Sequence, residues 1–300
     1  MYRLRRHRPD QRARSKQERN PLLGLLTDTR EVYKSRELLH NLTLRELRGK
    51  YKGTALGWAW SLINPLATTA IFTIVFSTVM RVNPPVGVNG LHNYSLFLLC
   101  GLLTWNFMAG AFQTGMGSLV ANGNLIKKTY FPRRLLVISN VAAAFVSYAI
   151  EMLVLIVIFL AFRVNVLPYV PVIFLVMVLL GVFALALALM LSVVNVYFRD
   201  IAHFVTLFMQ LWFYATPIIY PITLIEDVRG SGSWADKLHL VDIYQLNPMV
   251  GFVESIRDMM YAGHLPDWKP IAYCLVVTVI LLWIGNRVFG RMEKRLAEEL

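Results

Sequence analysis

The chain has 300 residues, of which 56% are hydrophobic and only 16% are charged. Soluble proteins carry roughly 25% charged residues. This composition, with several apolar runs long enough to cross a bilayer, excludes an ordinary soluble protein and predicts an all-α polytopic membrane protein. The formal net charge of +12 is also typical of nucleic-acid-binding proteins. In this chain the basic residues flank apolar segments, so we interpret them as orientation signals and expect no nucleic acid partner.

The chain begins with segments that we place in the cytosol. Residues 1–27 are strongly basic and predict a tail that touches anionic membrane lipids; a regulatory or docking arm is the alternative. Residues 28–60 predict amphipathic helices in the membrane interface. The capping-box spacing after Asp28 and after Thr43 predicts that a helix begins at each. We expect a bend near Asn41, because the leucines on its two sides occupy different helix faces.

The stretch at 47–65, LRGKYKGTALGWAWSLINP, leads from this interface into the membrane. Its basic residues come first, where lipid phosphates lie. Its tryptophans follow, and indole rings favour the boundary between headgroups and hydrocarbon. We therefore expect an entrance at the cytosolic membrane surface, formed by Arg48, Lys50, Tyr51, Lys52, Trp58 and Trp60.

Six apolar runs follow, each close to the roughly 20 residues needed to cross hydrocarbon. The predicted spans lie at about 61–81, 94–115, 135–162, 170–195, 202–221 and 271–289. Lys and Arg concentrate in the loops that six spans place on the same side as both termini, and this side is cytosolic by the positive-inside rule. The sequence thus predicts a six-span domain over 61–300 with both termini in the cytosol and residues 222–270 outside.

Intramembrane polar and aromatic side chains are candidates for a channel lining. Glu151 lies near the middle of the third span, where a charged group is costly. It either lines a channel or is a hydrogen-bonded carboxyl that stabilises helix packing. Aromatic faces stack on sugar rings, whereas the alternative for each ring is an interface belt or ordinary packing. The candidate channel-lining residues are Phe72, Phe76, Trp105, Phe107, Phe112, Glu151, Phe208, Trp212 and Tyr214.

Two connecting segments are longer than simple turns. The cytosolic loop at 116–134 predicts a docking helix, with Leu119 and the pair Leu125–Ile126 as apolar anchors. The outer segment at 222–270 predicts either a small outer domain or a pair of re-entrant helices that close a pore. An ordered surface loop is the alternative.

Motifs of common enzymes are absent from the sequence. It contains no G-x-x-x-x-G-K-[ST] run, no H-E-x-x-H, no G-x-S-x-G and no Cys/His cluster with metal-ligand spacing. We therefore predict no catalytic residue, no metal site and no cofactor on this chain. An integral-membrane glycosyltransferase or acyltransferase is the alternative from another class, and the acidic residues of 222–270, with Glu226 and Asp227 adjacent, are its candidate site.

The chain resembles the permease subunit of the ABC-2 type polysaccharide exporters, which carry O antigen, teichoic acid or cell-wall galactan. The resemblance extends from about residue 36 to the end of the chain. It rests on Arg45, KYKGTALG at 50–57, Trp60, Pro65, LIKKTYFPR at 125–133, YFRD at 197–200, TPIIYP at 216–221 and NP at 247–248.

The resemblance implies a homodimeric permease in the cytoplasmic (inner) membrane that exports a lipid-linked polysaccharide. Two copies of a separate P-loop ATPase, which binds ATP and Mg, would power it, and the substrate would arrive at the basic entrance. Coupling to the ATPase is implied for Leu125, Ile126, Lys127, Lys128, Tyr130, Phe131, Arg199 and Asp200. An outer gate is implied at Pro217, Tyr220, Asn247 and Pro248. An ABC-2 exporter of drugs or simple lipids is the nearest alternative, although it lacks the LGWAW-type entrance.

Overall fold

The structure is a computed structural model that describes residues 35–50, 52–57, 59–79, 85–129, 131–226, 240–293 and 296–299. These residues form helices and connecting turns without any β-strand, so the predicted all-α class is confirmed. The predicted tail at 1–27 and the predicted helix start at Asp28 lie outside the described residues.

The helices of the described residues follow one another along the chain with short connections. In order they are α1 Arg36–Lys50, α2 Ala59–Phe72, α3 Tyr94–Ala121, α4 Gly123–Lys128, α5 Arg134–Ala161, α6 Val170–Tyr197, α7 Ile201–Tyr214, α8 Thr223–Glu226, α9 Leu240–Gln245, α10 Pro248–Arg257, α11 Trp268–Met292 and α12 Leu296–Glu299. The helix α2 continues as a π-helix over Thr73–Val79, and α10 does so over Asp258–Ala262.

Five of these helices are long and apolar enough to cross a membrane: α2 with its π-helical extension, α3, α5, α6 and α11. The chain is therefore a multi-pass membrane protein. The helices α5 and α6 end close to the predicted boundaries, whereas α3 continues beyond the predicted end at about residue 115 as far as Ala121. The residues at 116–121, predicted as loop, thus belong to α3.

The fifth predicted span, about 202–221, is wrong in its length. Its helix, α7, has 14 residues and ends at Tyr214. At 1.5 Å per residue it rises about 21 Å, less than the roughly 30 Å of the hydrocarbon core. Residues 215–222 are not helical, because Pro217 has no N–H for a helix and disfavours helical backbone in the residue before it. A sixth crossing stays a prediction.

The interface helix α1 is a single continuous helix, so the predicted bend near Asn41 is wrong. The predicted helix start at Thr43 is also wrong. The Thr43 hydroxyl donates a hydrogen bond to the Leu39 carbonyl within the helix and therefore caps no helix end. Leu42 and Leu47 are buried, and α1 packs against α5.

The core is built around α3, which packs against α5, α6 and α10 and is buried over most of its length. Small residues let the helices approach closely, as is common in membranes. A Cβ atom at Gly285 of α11 would lie 2.6 Å from the Ala186 carbonyl oxygen of α6. A Cβ atom at Gly115 of α3 would lie 2.7 Å from the Cβ of Ala188. Contacts this short leave no room for a side chain.

The peripheral helices α2 and α7 expose large apolar side chains. Ile71 and Ile74 are examples on α2 and its extension, and Phe204 and Leu211 are examples on α7. In a bilayer such surfaces contact lipid tails or another subunit.

Replacing Gly285 with alanine should lower the free energy of unfolding by about 1–3 kcal/mol, because the new methyl group must displace the α6 backbone. Gly117 offers a matched control, since a Cβ atom there meets nothing within 4 Å. Gly117→Ala should be neutral or slightly stabilising, because alanine has the higher helix propensity. Thermal unfolding in one detergent compares the two variants, and equal melting temperatures would contradict the close contact.

Candidate functional site

A cavity of about 810 Å³ opens between α1, α2, α3 and α5. Its volume lies within the range of about 300–1,000 Å³ that is usual for ligand pockets. We call it the four-helix cavity. Its lining residues are Glu46, Gly49, Lys50, Trp60, Ser61, Asn64, Pro65, Thr68, Asn106, Phe107, Gly110, Ala111, Thr114, Asn140, Ala143, Ala144, Ser147, Tyr148 and Glu151.

Glu151 is the buried carboxylate of this cavity, with 8% of its surface exposed. The Ser61 hydroxyl donates a hydrogen bond to it, and the Lys50 ammonium acts on it electrostatically. These partners come from α2 and α1, whereas Glu151 belongs to α5. Glu151 therefore lines the cavity and also links three helices, as the helix-packing interpretation expects, while its role in lining a channel stays a prediction. Lys50 is a basic partner that the sequence did not reveal.

Most other polar groups of the cavity already have partners. Glu46 pairs with Arg45, and the Tyr148 hydroxyl bonds that of Thr104. Several side chains donate hydrogen bonds to the carbonyl four residues earlier in their own helix; they are Thr68, Thr114, Asn140 and Ser147. Asn64 and Asn106 are exposed, and neither side chain has a hydrogen-bond partner among the residues that the structure describes. The amides of Asn64 and Asn106 are thus available to water or to a ligand.

The predicted entrance residues lie beside this cavity. Lys50 and the 41%-exposed Trp60 line it, while Arg48 and Lys52 are exposed outside it. Tyr51 and Trp58 lie outside the described residues. The structure thus brings Lys50, Trp60 and Glu151 together, and the role of these residues in receiving a substrate stays a prediction.

The predicted channel-lining aromatics occupy three different environments. Trp105 and Phe112 are buried in the subunit core, and the Trp105 ring packs edge-on against Trp212 with the ring centroids 5.8 Å apart. Phe208 and Tyr214 are exposed on α7.

The remaining predicted aromatics lie on α3 and on α2 with its extension. Phe107 lines it and stacks on Tyr148 with the ring centroids 4.5 Å apart. Phe72 and Phe76 are half-buried near Tyr94. A channel-lining role stays a prediction for each of these aromatics.

The connection between α3 and α5, which the sequence predicts to be cytosolic, contains the short helix α4. The predicted docking helix over 116–134 is therefore mainly this six-residue element, because Leu119 is a buried residue of α3. The Arg45 guanidinium of α1 donates a hydrogen bond of 2.7 Å to Asn122, at the junction of α3 and α4. The interface helix is thus tied to the start of α4.

The predicted coupling residues differ in exposure. Lys127 and Lys128 are exposed on α4, and Ile126 is buried. Arg199 and Asp200 are exposed in the turn between α6 and α7. Leu125 on α4 and Phe131 after it are half-buried. Tyr130 lies outside the described residues. Their contact with an ATPase stays a prediction.

Arg257 organises the contacts at the predicted outer side of the molecule. It is 3% exposed and donates hydrogen bonds to the carbonyls of Pro217, Ile218 and Phe97. It also forms an ion pair of 2.8 Å with Glu254. Its guanidinium carbon lies 3.8 Å from the centroid of the Phe97 ring. Arg257 thus joins α10, α3 and the non-helical segment after α7.

Asn247 and two tyrosines complete this arrangement. The Asn247 amide donates to the Ala215 carbonyl and to the Thr216 hydroxyl at 3.0 Å each. Its carbonyl oxygen accepts from the Trp212 indole and from the backbone N–H of Met249, so Asn247 is also the N-cap of α10. The Tyr94 hydroxyl donates to the Ile219 carbonyl, and Tyr220 bonds Tyr244.

Three of the predicted outer-gate residues meet in this region, since Pro217 and Tyr220 lie in the segment that Asn247 binds. The fourth, Pro248, is the first residue of α10. Sequence reasoning missed Arg257. The available signal was its position: Arg257 directly follows the apolar positions of α10, so it belongs to a buried helix and not to a loop.

A metal centre is not evident in the part of the chain that the structure describes, which holds no cluster of three His, Cys, Asp or Glu side chains. Cys100 and Cys274 are buried and unpaired. For the alternative enzyme site, Glu226 ends the short helix α8, and Asp227 lies outside the described residues.

Replacing Arg257 with methionine should destabilise the chain by about 3 kcal/mol, because three backbone carbonyls and Glu254 lose a buried charged partner. Arg287→Met is the control. Its guanidinium lies 5.5 Å from the exposed Trp283 ring, a contact worth about 0.5–1 kcal/mol. Thermal unfolding and limited proteolysis at 215–222 measure the effect. Equal stability and equal cleavage in the two variants would show that Arg257 does not hold this segment.

Comparisons with known proteins agree with this architecture. Residues 37–261 match the family described as ABC-2 type transporter. The chain is 33% identical over 272 residues to a Myxococcus xanthus protein named O-antigen export system permease protein RfbA, covering 90% of this chain and 98% of that protein. A Klebsiella pneumoniae protein of the same name is 31% identical over 265 residues, covering 88% and 95%.

A more distant relative is the polysialic acid transport protein KpsM of Escherichia coli, with 21% identity over 255 residues that cover 84% of this chain and 92% of the relative. The family match covers most of the residues that form the four-helix cavity and the outer segment. The chain belongs to the ABC-2 type transporter membrane family.

Proposed function

We propose that this chain is the transmembrane permease subunit of an ABC exporter that moves a lipid-linked polysaccharide out across the cytoplasmic membrane. The similarity over 90% of the chain to an O-antigen export permease carries this proposal. The cavity supports it, because a polar site beside an amphipathic interface helix suits a substrate with a lipid anchor and a hydrophilic chain. In this proposal both termini are cytosolic, as the basic loops indicate.

The energy source in this proposal is a separate P-loop ATPase, present in two copies with ATP and Mg bound to it. The chain itself is then a transport subunit and not an enzyme. The exposed Lys127 and Lys128 of α4 suit contact with such a partner, and the hydrogen bond between Arg45 and Asn122 gives it a route to the membrane interface. A displacement of α4 would reach α1, and α1 forms one wall of the four-helix cavity.

The assembly in this proposal is a homodimer whose export channel runs between two subunits. The exposed apolar surfaces of α2 and α7, with Ile71, Ile74, Phe204 and Leu211 among their residues, are suited to that contact. The exposed Arg48 and Lys52 would bind the anionic phosphates of a lipid-linked substrate. The planar guanidinium of arginine and the compact ammonium of lysine both suit phosphate oxygens.

The alternative ABC-2 substrates are drugs or simple lipids. The tryptophan-containing entrance LGWAW at 56–60 and the names of the relatives favour a polysaccharide. No feature of the described residues favours the glycosyltransferase or acyltransferase alternative.

A pull-down of the tagged chain in mild detergent tests the partner. The intact wild-type chain should bring a P-loop ATPase in equal amount. The double substitution Lys127→Glu and Lys128→Glu should lower the affinity for the ATPase about thirtyfold, since each reversed surface charge costs roughly 1 kcal/mol.

Lys269→Glu is the matched control, because Lys269 is equally exposed but lies at the predicted outer end of α11. It should leave the recovery of ATPase unchanged. An intact wild-type chain that brings no ATPase would overturn the proposed function, and an undiminished recovery with the double variant would remove α4 from the contact.

Reversing the charge of Lys52 tests the entrance. Lys52→Glu should lower glycan export about fivefold, because a like-charge interaction of about 1 kcal/mol in water would oppose an anionic headgroup. Lys52 gives the cleaner test than Lys50, since Lys50 also acts on Glu151. The measurement is the amount of glycan at the cell surface at equal protein level, with Lys52→Arg as control. Full export by Lys52→Glu would leave Lys52 as an orientation signal only.

A further inference from the structure

We propose that the four-helix cavity binds a neutral, hydroxyl-rich sugar ring of the transported glycan, while the anionic headgroup stays outside at the membrane surface. The inference rests on the proposed function and assigns one chemical class of ligand to one site. Three properties of the lining carry it: its charge, its polar atoms and its open space.

The charge of the lining does not favour an anion. The acidic and basic groups at its surface are Glu46, Lys50 and Glu151. Glu46 forms an ion pair of 2.6 Å with Arg45, and Lys50 acts on Glu151, so the lining offers an anion no cation that lacks a carboxylate beside it. A phosphate inside would have to lose its water and compete with Glu151 for Lys50, which is costly at a buried site. The exposed cations Arg48 and Lys52 do not line the cavity and remain available to a headgroup beside it.

The polar atoms of the lining match a sugar ring. Asn64 and Asn106 present amides that both donate and accept hydrogen bonds, and the Glu151 carboxylate accepts them. Ring hydroxyls also donate and accept. Trp60 at the same cavity is 41% exposed, and its indole face suits the apolar face of a sugar ring.

A hydrocarbon chain is the less suitable occupant. Asn106 lies near the middle of α3, a helix of spanning length. A lipid tail packed against its amide would leave the polar atoms without a partner, which costs several kcal/mol in hydrocarbon. Water or sugar hydroxyls provide that partner instead.

The space in the cavity depends on small side chains. Gly110 and Ala111 line it from α3, and Ala143 and Ala144 line it from α5. A Cβ atom at Gly110 would meet nothing within 4 Å. A bulky side chain at Gly110 therefore enters open space and does not clash with the helix packing.

Filling the cavity is the first test. Gly110→Phe should lower the surface glycan about tenfold through loss of binding of roughly 1.4 kcal/mol, with unchanged protein level and ATPase recovery. Gly117→Phe is the matched control, because Gly117 also lies on α3 with nothing within 4 Å of its Cβ position but does not line the cavity. It should export like the wild type.

A second test measures occupancy directly. Thr114→Cys introduces a thiol at an exposed position of the cavity lining and keeps both amides, while the native Cys100 and Cys274 are buried and give a low background. A membrane-impermeant thiol reagent should label the variant in reconstituted membranes. A polyprenyl diphosphate carrying a short neutral oligosaccharide, at ten times its Kd, should slow labelling about tenfold. The same polyprenyl diphosphate without sugar should not.

Gln113→Cys is the control for this second test, since Gln113 is exposed on α3 but does not line the cavity. The sugar-bearing probe should leave its labelling rate unchanged. Equal slowing of the Thr114→Cys variant by the bare diphosphate would assign the cavity to the headgroup and overturn the proposal. The absence of slowing by either probe would also overturn it.

The outcomes separate this inference from the proposed function. If the wild-type chain with its ATPase exports no lipid-linked glycan, the proposed function fails. If the wild type exports and Gly110→Phe exports equally well, the sugar site fails and the exporter assignment stands.

Discussion

The hydrogen bonding of buried non-helical backbone is the constraint on which the rest of this structure depends. Residues 216–219 are buried, and a buried peptide group must find its hydrogen-bond partner within the protein. The segment after Tyr214 meets this requirement through side chains: Asn247 and Arg257 supply donors to its first part, and Tyr94 supplies one to Ile219. The helix α7 can therefore end early because side chains at α10 and α3 stabilise the non-helical backbone that follows it, and not only because of its own sequence.

The helix α3 connects this arrangement around Arg257 to the opposite end of the molecule, where α4 lies. Near its start, Gly101 makes room for Arg257, because a Cβ atom there would lie 2.8 Å from the guanidinium. Near its middle, Asn106 and Gly110 line the four-helix cavity. At its end, Asn122 contacts Arg45 of the interface helix. One buried helix thus fixes the relative positions of the outer segment, the cavity and α4.

The long helices were predictable from the sequence because their signal is local. Length and hydropathy alone predict both ends of α5, α6 and α11 to within a few residues, and they predict the start of α3. The predicted end of α3 falls short of Ala121. The end of α7 was not predictable in this way, since the apolar run continues to Pro221 and its interruption is stabilised by Arg257 from a distant part of the chain. Glu151 stood out in the sequence, whereas its partners Lys50 and Ser61 become visible only when α1 and α2 pack beside α5.

The contacts of α1 link the proposed ATPase contact at α4 to the four-helix cavity. The helix α1 carries Arg45, which bonds the junction before α4, and also Lys50, which acts on the buried Glu151. A shift of α1 that follows α4 changes the distance between Lys50 and Glu151, and charge interactions near a buried group depend strongly on distance. Binding equilibria that share one mobile element are reciprocal. Under the proposed function, a ligand in the cavity must therefore influence the position of α4 by the same free energy with which the ATPase influences the cavity.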